Sequence, residues 1–366
     1  MLHDEIRKLK NLYHLFTAIA ANIWYDFPSR RLKIVGVTGT DGKTTTAHLI
    51  YHILKSSGKK VSLVSTVYAQ VGDEEYDTGL HTTTPHSFVV QRLLKKSLDA
   101  GDEYFVLETT SHALDQNRVF GVEFACSVIT NITHEHLDYH KTYDNYLRTK
   151  ALLLLHSDVA IVNKDDQSFE QLREYFSHKG KKLLTYSLKG DADFTFNYKK
   201  AYCANMSDYN NYNVLAAYSV CRTLGVSEPD IIKALRSFQL PKGRLDVVYD
   251  GDFKVIVDFA HTPNSIEQLL RGLRESVQNG RLIHVFGAAG LRDALKRPMM
   301  GRESGAYADV VVITEEDYRS EDPEKISEQI ARGLEEKSLK KIEESKLSTE
   351  SRKTYAIILN REAAIK

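Results

Sequence analysis

The sequence predicts an α/β fold: a P-loop-containing, mostly parallel sheet flanked by helices, followed by a smaller Rossmann-like α/β domain. Three observations predict it. The apolar run Leu32 to Val37 reads as a buried parallel strand, which breaks into a glycine-rich turn before Lys43-Thr44 opens a helical pattern through about Ser57. From Leu32 to about Phe238, apolar runs alternate with helical periodicity. After the turn Pro241-Lys242-Gly243 a second, shorter alternation begins.

In the first run the candidate strands after the opening one are Val61–Val67, Tyr104–Leu107, Ala125–Thr130, Val159–Val162 and Leu183–Tyr186. Helical spacing predicts helices near Ser87–Leu98, Tyr143–Leu155, Ser168–Phe176 and Tyr212–Leu224. In the second run the strands are Lys254–Asp258, Leu282–Phe286, Val310–Thr314 and Thr354–Ile358, with helices near Ser265–Ser276 and Pro323–Glu335. The Lys/Glu/Ser-rich Glu336 to Arg352 reads as a solvated helix or linker. With 366 residues the chain exceeds one ordinary core. The expected division is residues 1–30 as an apolar N-terminal helix, 31–240 as the nucleotide-binding domain and 241–366 as the C-terminal domain.

Forty-nine basic and 49 acidic residues cancel, so no nucleic-acid footprint is expected. Three cysteines, Cys126, Cys203 and Cys221, lack C-x-x-C spacing and read as reduced thiols rather than a disulfide frame or zinc site. No stretch reaches the ~18 apolar residues of a membrane span. Leu12 to Phe27 is nonetheless apolar and aromatic, and follows the basic Arg7-Lys8-Leu9-Lys10. A cleavable signal peptide is not expected, because no small-residue cleavage site follows. Two readings stay open: a helix packed on the nucleotide domain, or weak contact of residues 7–27 with the inner membrane face.

The chemistry starts at the turn. Gly36, Gly39 and Gly42 are spaced by three, and Val37 sits where the usual phosphate loop has its first glycine, giving a G-x-x-G-x-x-G-K-T variant. Backbone N–H groups at a helix N-terminus face a polyphosphate, Lys43 neutralises it, and the Thr44 hydroxyl is a Mg²⁺ ligand. Glu108 ends a predicted strand, where open α/β sheets bind ligands, and suits a second Mg²⁺ ligand or an orienter of metal-bound water. His134-Glu135-His136-Leu137-Asp138-Tyr139-His140 suggests zinc by density, but Asp138 occupies the second histidine position of H-E-x-x-H.

Five segments carry a resemblance to a known family. Gly39-Thr40-Asp41-Gly42-Lys43-Thr44-Thr45 resembles the phosphate loop G-T-N-G-K-T-T of the Mur ligases, with Asp41 for Asn. Thr82-Thr83-Thr84-Pro85 resembles T-T-P, and Glu108 through Arg118 resembles E-V-S-S-H-A-L-D-Q-x-R. Thr130 through His140 resembles T-N-L-T-x-D-H-L-D-Y-H, and Val257 through Pro263 resembles V-D-Y-A-H-T-P. The combination is similar to the MurE type, which adds the third amino acid of the peptidoglycan stem, and covers about Arg31 to Ile365.

The resemblance implies a cytoplasmic, ATP-dependent amide ligase of peptidoglycan biosynthesis. Its substrates would be ATP, a muramoyl-dipeptide precursor and an amino acid. A substrate carboxylate attacks the γ-phosphate, and an amine then attacks the resulting acyl phosphate. Bringing these anions together requires positive charge, since each unit pair at ~4 Å is worth about 4 kcal/mol near a protein surface. The resemblance implies two Mg²⁺ ions, with Thr44, Glu108, His136 and a carbamylated Lys150 as ligands, and a catalytic set of Lys43, Lys150, His136 and Glu108. Carbamylation would turn the Lys150 cation into an oxygen donor. Nucleotide contacts fall to Gly39, Thr40, Asp41, Gly42, Lys43, Thr44, Thr45, Asn131, Asn213, Arg244, Asp258 and His261. Muramoyl-peptide contacts fall to Thr83, Thr84, Thr110, Ser111, Gln116 and Arg118.

Phe286 through Pro298 resembles F-G-x-G-G-D-R-D-x-x-K-R-P, with Ala289 and Leu291 departing from it. The amino-acid signature D-N-P-R-x-E-x-P reads Glu316-Asp317-Tyr318-Arg319-Ser320-Glu321-Asp322-Pro323. Arg319 is retained, and a guanidinium grips a carboxylate bidentately, which favours meso-diaminopimelate over L-lysine. Some 30 residues stand where the family has its N-terminal uridine-binding domain, the segment Ser187 to Tyr209 is short, and the chain ends before the family's G-K-G-H-E segment. The expectation is either a substrate held without the uridine grip, such as a lipid-linked form, or an incomplete chain. Rival readings are a folylpolyglutamate- or cyanophycin-type ligase on the same fold and a non-catalytic ATP-binding relative.

Overall fold

The protein is described from a computed structural model covering residues 2–77, 83–133, 135–196, 208–277, 280–347 and 352–366. It divides into two compact units, Met1–Thr133 with Asp144–Asp258, and His134–Tyr143 with Phe259–Lys366.

The first unit is built on an eight-stranded sheet. Its strands are β1 (Lys33–Thr38), β2 (Val61–Val64), β3 (Tyr68–Val71), β4 (Glu74–Asp77), β5 (Tyr104–Glu108), β6 (Phe124–Ile129), β7 (Ser157–Asn163) and β8 (Leu183–Tyr186). The order is β4-β3-β2-β5-β1-β6-β7-β8, with β2 through β8 of the central run parallel and β3 and β4 added antiparallel at one edge. That edge pair was not legible as strands: Tyr68–Asp77 is polar and short, and sheet-edge strands need only one apolar face.

Helices α1 (Leu2–Trp24), α2 (Lys43–Ser56), α3 (Ser87–Asp99) and α4 (Ser111–Asp115) precede α5 (Leu137–His140) of the second unit. Then come α6 (Tyr143–Leu155), α7 (Phe169–Ser177), α8 (Asp208–Thr223) and α9 (Glu228–Ser237). Helix α2 buries Ala47, Leu49, Ile50, Ile53 and Leu54 in one core with residues of β1, β2, α8 and α9. The opposite sheet face packs against α3 through Val90, Leu93 and Leu94. Each such valine, leucine or isoleucine side chain contributes about 1.5–3 kcal/mol by leaving water, and burial on both faces is why the central strands read as unbroken apolar runs.

Helix α1 packs on this unit through its small face. Ala18 and Ala21 are buried, and the Asn22 side-chain amide donates to the Ala18 and Phe120 carbonyls, both at 2.8 Å. Leu9, Leu12, Tyr13, Phe16, Ile23 and Trp24 lie exposed. Among the described residues no helix is long and apolar enough to cross a membrane. Cys126 and Cys221 are buried free thiols, and burial pushes Cys126 up to about 12, leaving it protonated.

The segment Lys254–Asp258 is not part of the second α/β sheet. It forms an antiparallel hairpin of β9 (Asp246–Asp250) and β10 (Lys254–Val257) within the first unit. The turn Gly251–Phe253 is short enough to pair neighbours directly, whereas a parallel strand needs a crossover.

The second unit has a four-stranded parallel sheet, β11 (Ile283–Phe286), β12 (Val310–Ile313), β13 (Lys340–Lys341) and β14 (Thr354–Ile357), in the order β11-β12-β14-β13. Its helices are α10 (Pro263–Ser276), α11 (Lys296–Tyr307), α12 (Pro323–Glu336) and α13 (Arg361–Ile365). A capping box of Thr262 and Ser265 starts α10, as Pro263 at the first helical position favours. The stretch after α12 is neither a solvated helix nor a linker throughout. Ser338 takes a left-handed turn, Leu339 anchors in the core, and Lys340–Lys341 then pairs with β14, while 348–351 lie outside the described residues.

Candidate active site

In the first unit, β1 ends at Thr38 and α2 begins at Lys43, so the loop Gly39–Gly42 sits at the carboxyl end of the sheet. Its shape needs glycine. Gly39 and Gly42 have φ of 151° and 80°, and a Cβ there would lie 1.9 Å from Thr130 Oγ1 and 2.1 Å from Asn213 Oδ1. Asn131 clamps the loop: its carbonyl accepts from Thr40 N–H at 2.9 Å, its side-chain oxygen accepts from Asp41 N–H at 2.9 Å, and its amide donates to the Asp41 carbonyl at 3.2 Å. The Lys43 ammonium donates back to the Thr40 carbonyl at 2.8 Å. Lys150, fully buried on α6, donates to the Gly39 carbonyl at 2.6 Å. Thr45 is buried in the first turn of α2.

A second layer gathers on Glu108 at the end of β5. Thr44 Oγ1 donates to Glu108 Oε1 at 3.1 Å, and Arg244 Nη2 donates to Thr44 Oγ1 at 3.2 Å. Thr66, one residue past β2 and its neighbour Ser65, donates through its N–H to Oε2 at 2.9 Å and through its hydroxyl to Oε1 at 3.1 Å. Thr66 was not singled out in the sequence, although a hydroxyl just beyond the carboxyl end of a buried strand is a usable signal. Tyr146, whose hydroxyl lies 3.1 Å from Thr40 Oγ1, was also missed. Near Arg244, burial and secondarily that guanidinium push the His48 imidazole down to about 4, so it is neutral, with Nε2 3.0 Å from Ser65 Oγ.

Thr83 Oγ1 lies 2.9 Å from Thr66 Oγ1, and Thr84 Oγ1 donates to the Glu108 carbonyl at 3.0 Å. Thr110 N–H donates to Thr84 Oγ1 at 3.0 Å, and the Thr110 hydroxyl caps α4, which begins at the buried Ser111. Arg118 donates to the Thr84 carbonyl at 2.8 Å and to Gln116 Oε1 at 2.9 Å. Thr82 and His134 lie outside the described residues. Asn213 accepts from the Thr46 hydroxyl at 3.3 Å, beneath the loop, and Asp258 accepts from Leu245 N–H at 2.8 Å.

The donor set suits Mg²⁺. Mg²⁺ keeps waters and substrate phosphates and uses only one or two protein carboxylates, and Thr44 with Glu108 offers such a hard-oxygen pair. Among the described residues no group of three or more His, Cys, Asp or Glu side chains able to hold a metal occurs.

The remaining expected residues belong to the second unit. His136 has left-handed backbone, φ 56°, with Nδ1 3.8 Å from Glu135 Oε1. Glu135 itself is buried against the Lys296 ammonium at 2.9 Å. His261 Nδ1 lies 2.9 Å from the Phe259 carbonyl. Arg319 follows β12, with φ 54° and Nε 3.4 Å from Asp317 Oδ2.

Residues 37–221 match the family described as Mur ligase middle domain, and residues 243–366 match the one described as Mur ligase, glutamate ligase domain. The UDP-N-acetylmuramoyl-L-alanyl-D-glutamate–2,6-diaminopimelate ligase of Aquifex aeolicus (strain VF5) is 40% identical over 337 residues, 87% of this chain and 68% of that protein. A ligase of the same name from Clostridium acetobutylicum is 35% identical over 370 residues, covering 95% and 72%. Among solved structures, a diaminopimelate ligase of that name gives a TM-score of 0.59 at 28% identity over 91% of this chain and 69% of that one. The folylpolyglutamate synthase of Mycobacterium tuberculosis gives 0.72 at 15% identity over 96% and 93%, a likeness of fold alone. With both domain families matched in order and curated relatives at this identity, the chain belongs to the Mur ligase family.

Proposed function

We propose that this chain is an ADP-forming acid–amino acid ligase that adds diaminopimelate to a muramoyl-L-alanyl-D-glutamate precursor in peptidoglycan synthesis, in the cytoplasm where ATP is supplied. The observation that carries the reading is the gathering of Thr44, Thr66, Glu108 and Arg244 beside the phosphate loop. Relatives named for this reaction support it.

In this reading the loop N–H groups and Lys43 hold the nucleotide phosphates, with Asn213 and Asp258 toward its adenosine end. A precursor carboxylate oxygen attacks the γ-phosphorus, the bond to the β-phosphate oxygen breaks, and ADP leaves. The amino group of the incoming amino acid then attacks the acyl carbon, losing its proton as inorganic phosphate departs. Thr83, Thr84, Thr110, Ser111, Gln116 and Arg118 position the precursor, and Arg319 takes the second carboxylate of diaminopimelate, as a planar fork does better than a point charge. Mg²⁺ held by Thr44 and Glu108 supplies charge neutralisation among the phosphates when bound. For a second Mg²⁺ the resemblance to the family implies His136 and a carbamylated Lys150. Carbamylation would replace a buried cation by an anion, and mass spectrometry of the intact protein in bicarbonate buffer checks it.

The exposed apolar face of α1, flanked in sequence by Arg7, Lys8 and Lys10, suits weak contact with an anionic membrane surface. Sedimentation with anionic vesicles tests that; a protein that stays in the supernatant removes this part of the reading. The main test is phosphate release with ATP and UDP-muramoyl-dipeptide, offering diaminopimelate, lysine and glutamate in turn. Release dependent on diaminopimelate supports the reading, and turnover with a folate and glutamate instead would replace it.

A further inference from the structure

We infer that Arg297 is a positioning residue, which fixes the loop carrying Arg319 and thereby sets the preference for an amino acid with a second carboxylate. The inference rests on the reading of Arg319 given above.

Two loops of the second unit meet at the carboxyl ends of β11 and β12. One runs from Gly287 to Leu295 and leads into α11; the other runs from Thr314 to Asp322 and leads into α12. They are laced by backbone. Gly290 N–H donates to the Asp317 carbonyl at 2.9 Å, and a Cβ on Gly290 would come within 2.0 Å of the Tyr318 carbonyl oxygen. Leu291 N–H donates to Glu321 Oε2 at 2.9 Å, and Glu321 N–H closes a turn onto the Tyr318 carbonyl at 2.9 Å.

Neither loop would hold this shape unaided. Leu291 and Arg319 both sit in left-handed backbone, at φ 51° and 54°, a conformation that side-chain-bearing residues keep only when their surroundings enforce it. What enforces it is Arg297, at 0% exposure. Its Nη1 donates to Glu321 Oε1 at 2.6 Å and its Nη2 to Glu321 Oε2 at 2.8 Å, a two-pronged grip on the carboxylate. Nη1 also reaches Gln329 Oε1 of α12 at 2.7 Å, and Nη2 reaches the Ala289 carbonyl at 3.2 Å. One guanidinium thus ties the first loop, the second loop and α12 together.

Arg319 is two residues from Glu321 and within the same turn. Its side chain is partly exposed, and its contact with Asp317 is long, at 3.4 Å, so a ligand carboxylate can compete for its donors. Lys296 and Arg297 are adjacent on the first turn of α11, yet Lys296 turns to Glu135 and Arg297 to Glu321. A lysine at 297 could not make the two-pronged grip, because an ammonium is a point donor.

The test compares wild type, Arg297→Lys, Glu321→Gln and Arg319→Ala in full-length protein, each first shown by thermal melting to be folded at assay temperature. The readouts are KM for diaminopimelate, KM for ATP, and the ratio of kcat/KM for diaminopimelate over lysine. Arg297→Lys is expected to raise KM for diaminopimelate roughly 10- to 100-fold with KM for ATP unchanged, as small misplacements of a binding group do, and to lower the ratio. A folded Arg297→Lys with wild-type KM and ratio overturns the inference, and so does an equal loss on both amino acids. If Arg297→Lys does not fold, Glu321→Gln carries the same comparison from the other side of the pair. If Arg319→Ala itself leaves KM for diaminopimelate unchanged, the reading of Arg319 fails; if it raises KM while Arg297→Lys does not, only the positioning role fails.

Discussion

The phosphate loop and the loop carrying Arg319 both leave the carboxyl end of a buried parallel strand, yet they are held in opposite ways. The first takes its left-handed positions with glycines, Gly39 and Gly42, and is clamped largely by backbone groups and Asn131. The second takes its left-handed position with Arg319, is laced to a neighbouring loop in which Leu291 is left-handed too, and depends on one buried side chain, Arg297. A glycine-built loop presents main-chain N–H groups to any polyphosphate and tolerates little variation at its glycines. A side-chain-braced loop presents a particular residue, and its character changes with its brace. In the proposed reading, the difference suits an invariant co-substrate at the glycine-built loop and a chosen amino acid at the braced one.

The comparison can be broken first at the glycine loop. Lys43→Met removes its cation and is expected to lower turnover by about 10²- to 10³-fold, the usual loss when a group that stabilises transition-state charge is deleted; steady-state phosphate release measures it. Glu108→Gln keeps the shape and the bonds from Thr66 N–H but loses the charge. The Mg²⁺ concentration for half-maximal activity is then expected to rise roughly 10-fold or more, as with other weakened metal sites, read by Mg²⁺ titration.

At the braced loop the signature is pH. Hydrogen bonds from Arg297 hold Glu321 down from its ordinary 4.5 to about 2. Its folded pKa is depressed, so the unfolded chain binds the proton more readily in between. The stabilisation is complete above 4.5 and is lost as pH falls toward 2. Urea midpoints for wild type and Glu321→Gln should therefore converge across that window; a constant gap would show that the pair contributes nothing through its charge. The smallest effects fall on α1. Ala18→Leu, on its buried face, should cost about 1–3 kcal/mol by overpacking, whereas Phe16→Ser, on the exposed face, should stay within about 0.5 kcal/mol. Equal costs at both positions would mean that the exposed face is covered.

Much of this was legible in the chain. The central strands, buried on both faces, announce themselves as apolar runs, and Asn131, Asn213 and Arg244, which the resemblance to the family assigns to the nucleotide, lie against the Gly39–Gly42 loop or its neighbour Thr44. Thr83, Thr84, Thr110 and Arg118 likewise meet beside Glu108. What could not be read was pairing at a distance. Thr66 looks like any residue after a strand until Glu108 lies beside it, and the β3–β4 edge is too polar to stand out. The hairpin β9–β10 mimics a lone parallel strand, since its partner Asp246–Asp250 is mostly exposed. Arg297 appeared only as a letter in K-R-P; that it grips Glu321, 24 positions on, is a fact of tertiary packing.

The central claim is that the chain joins an amino acid to a muramoyl-dipeptide at the expense of ATP. Phosphate release measured with all three substrates, and with each omitted, tests it most directly. The account predicts release that requires both the dipeptide precursor and diaminopimelate, matched one to one by new amide product. Release that ignores the amino acid, or none with every substrate present, would contradict it.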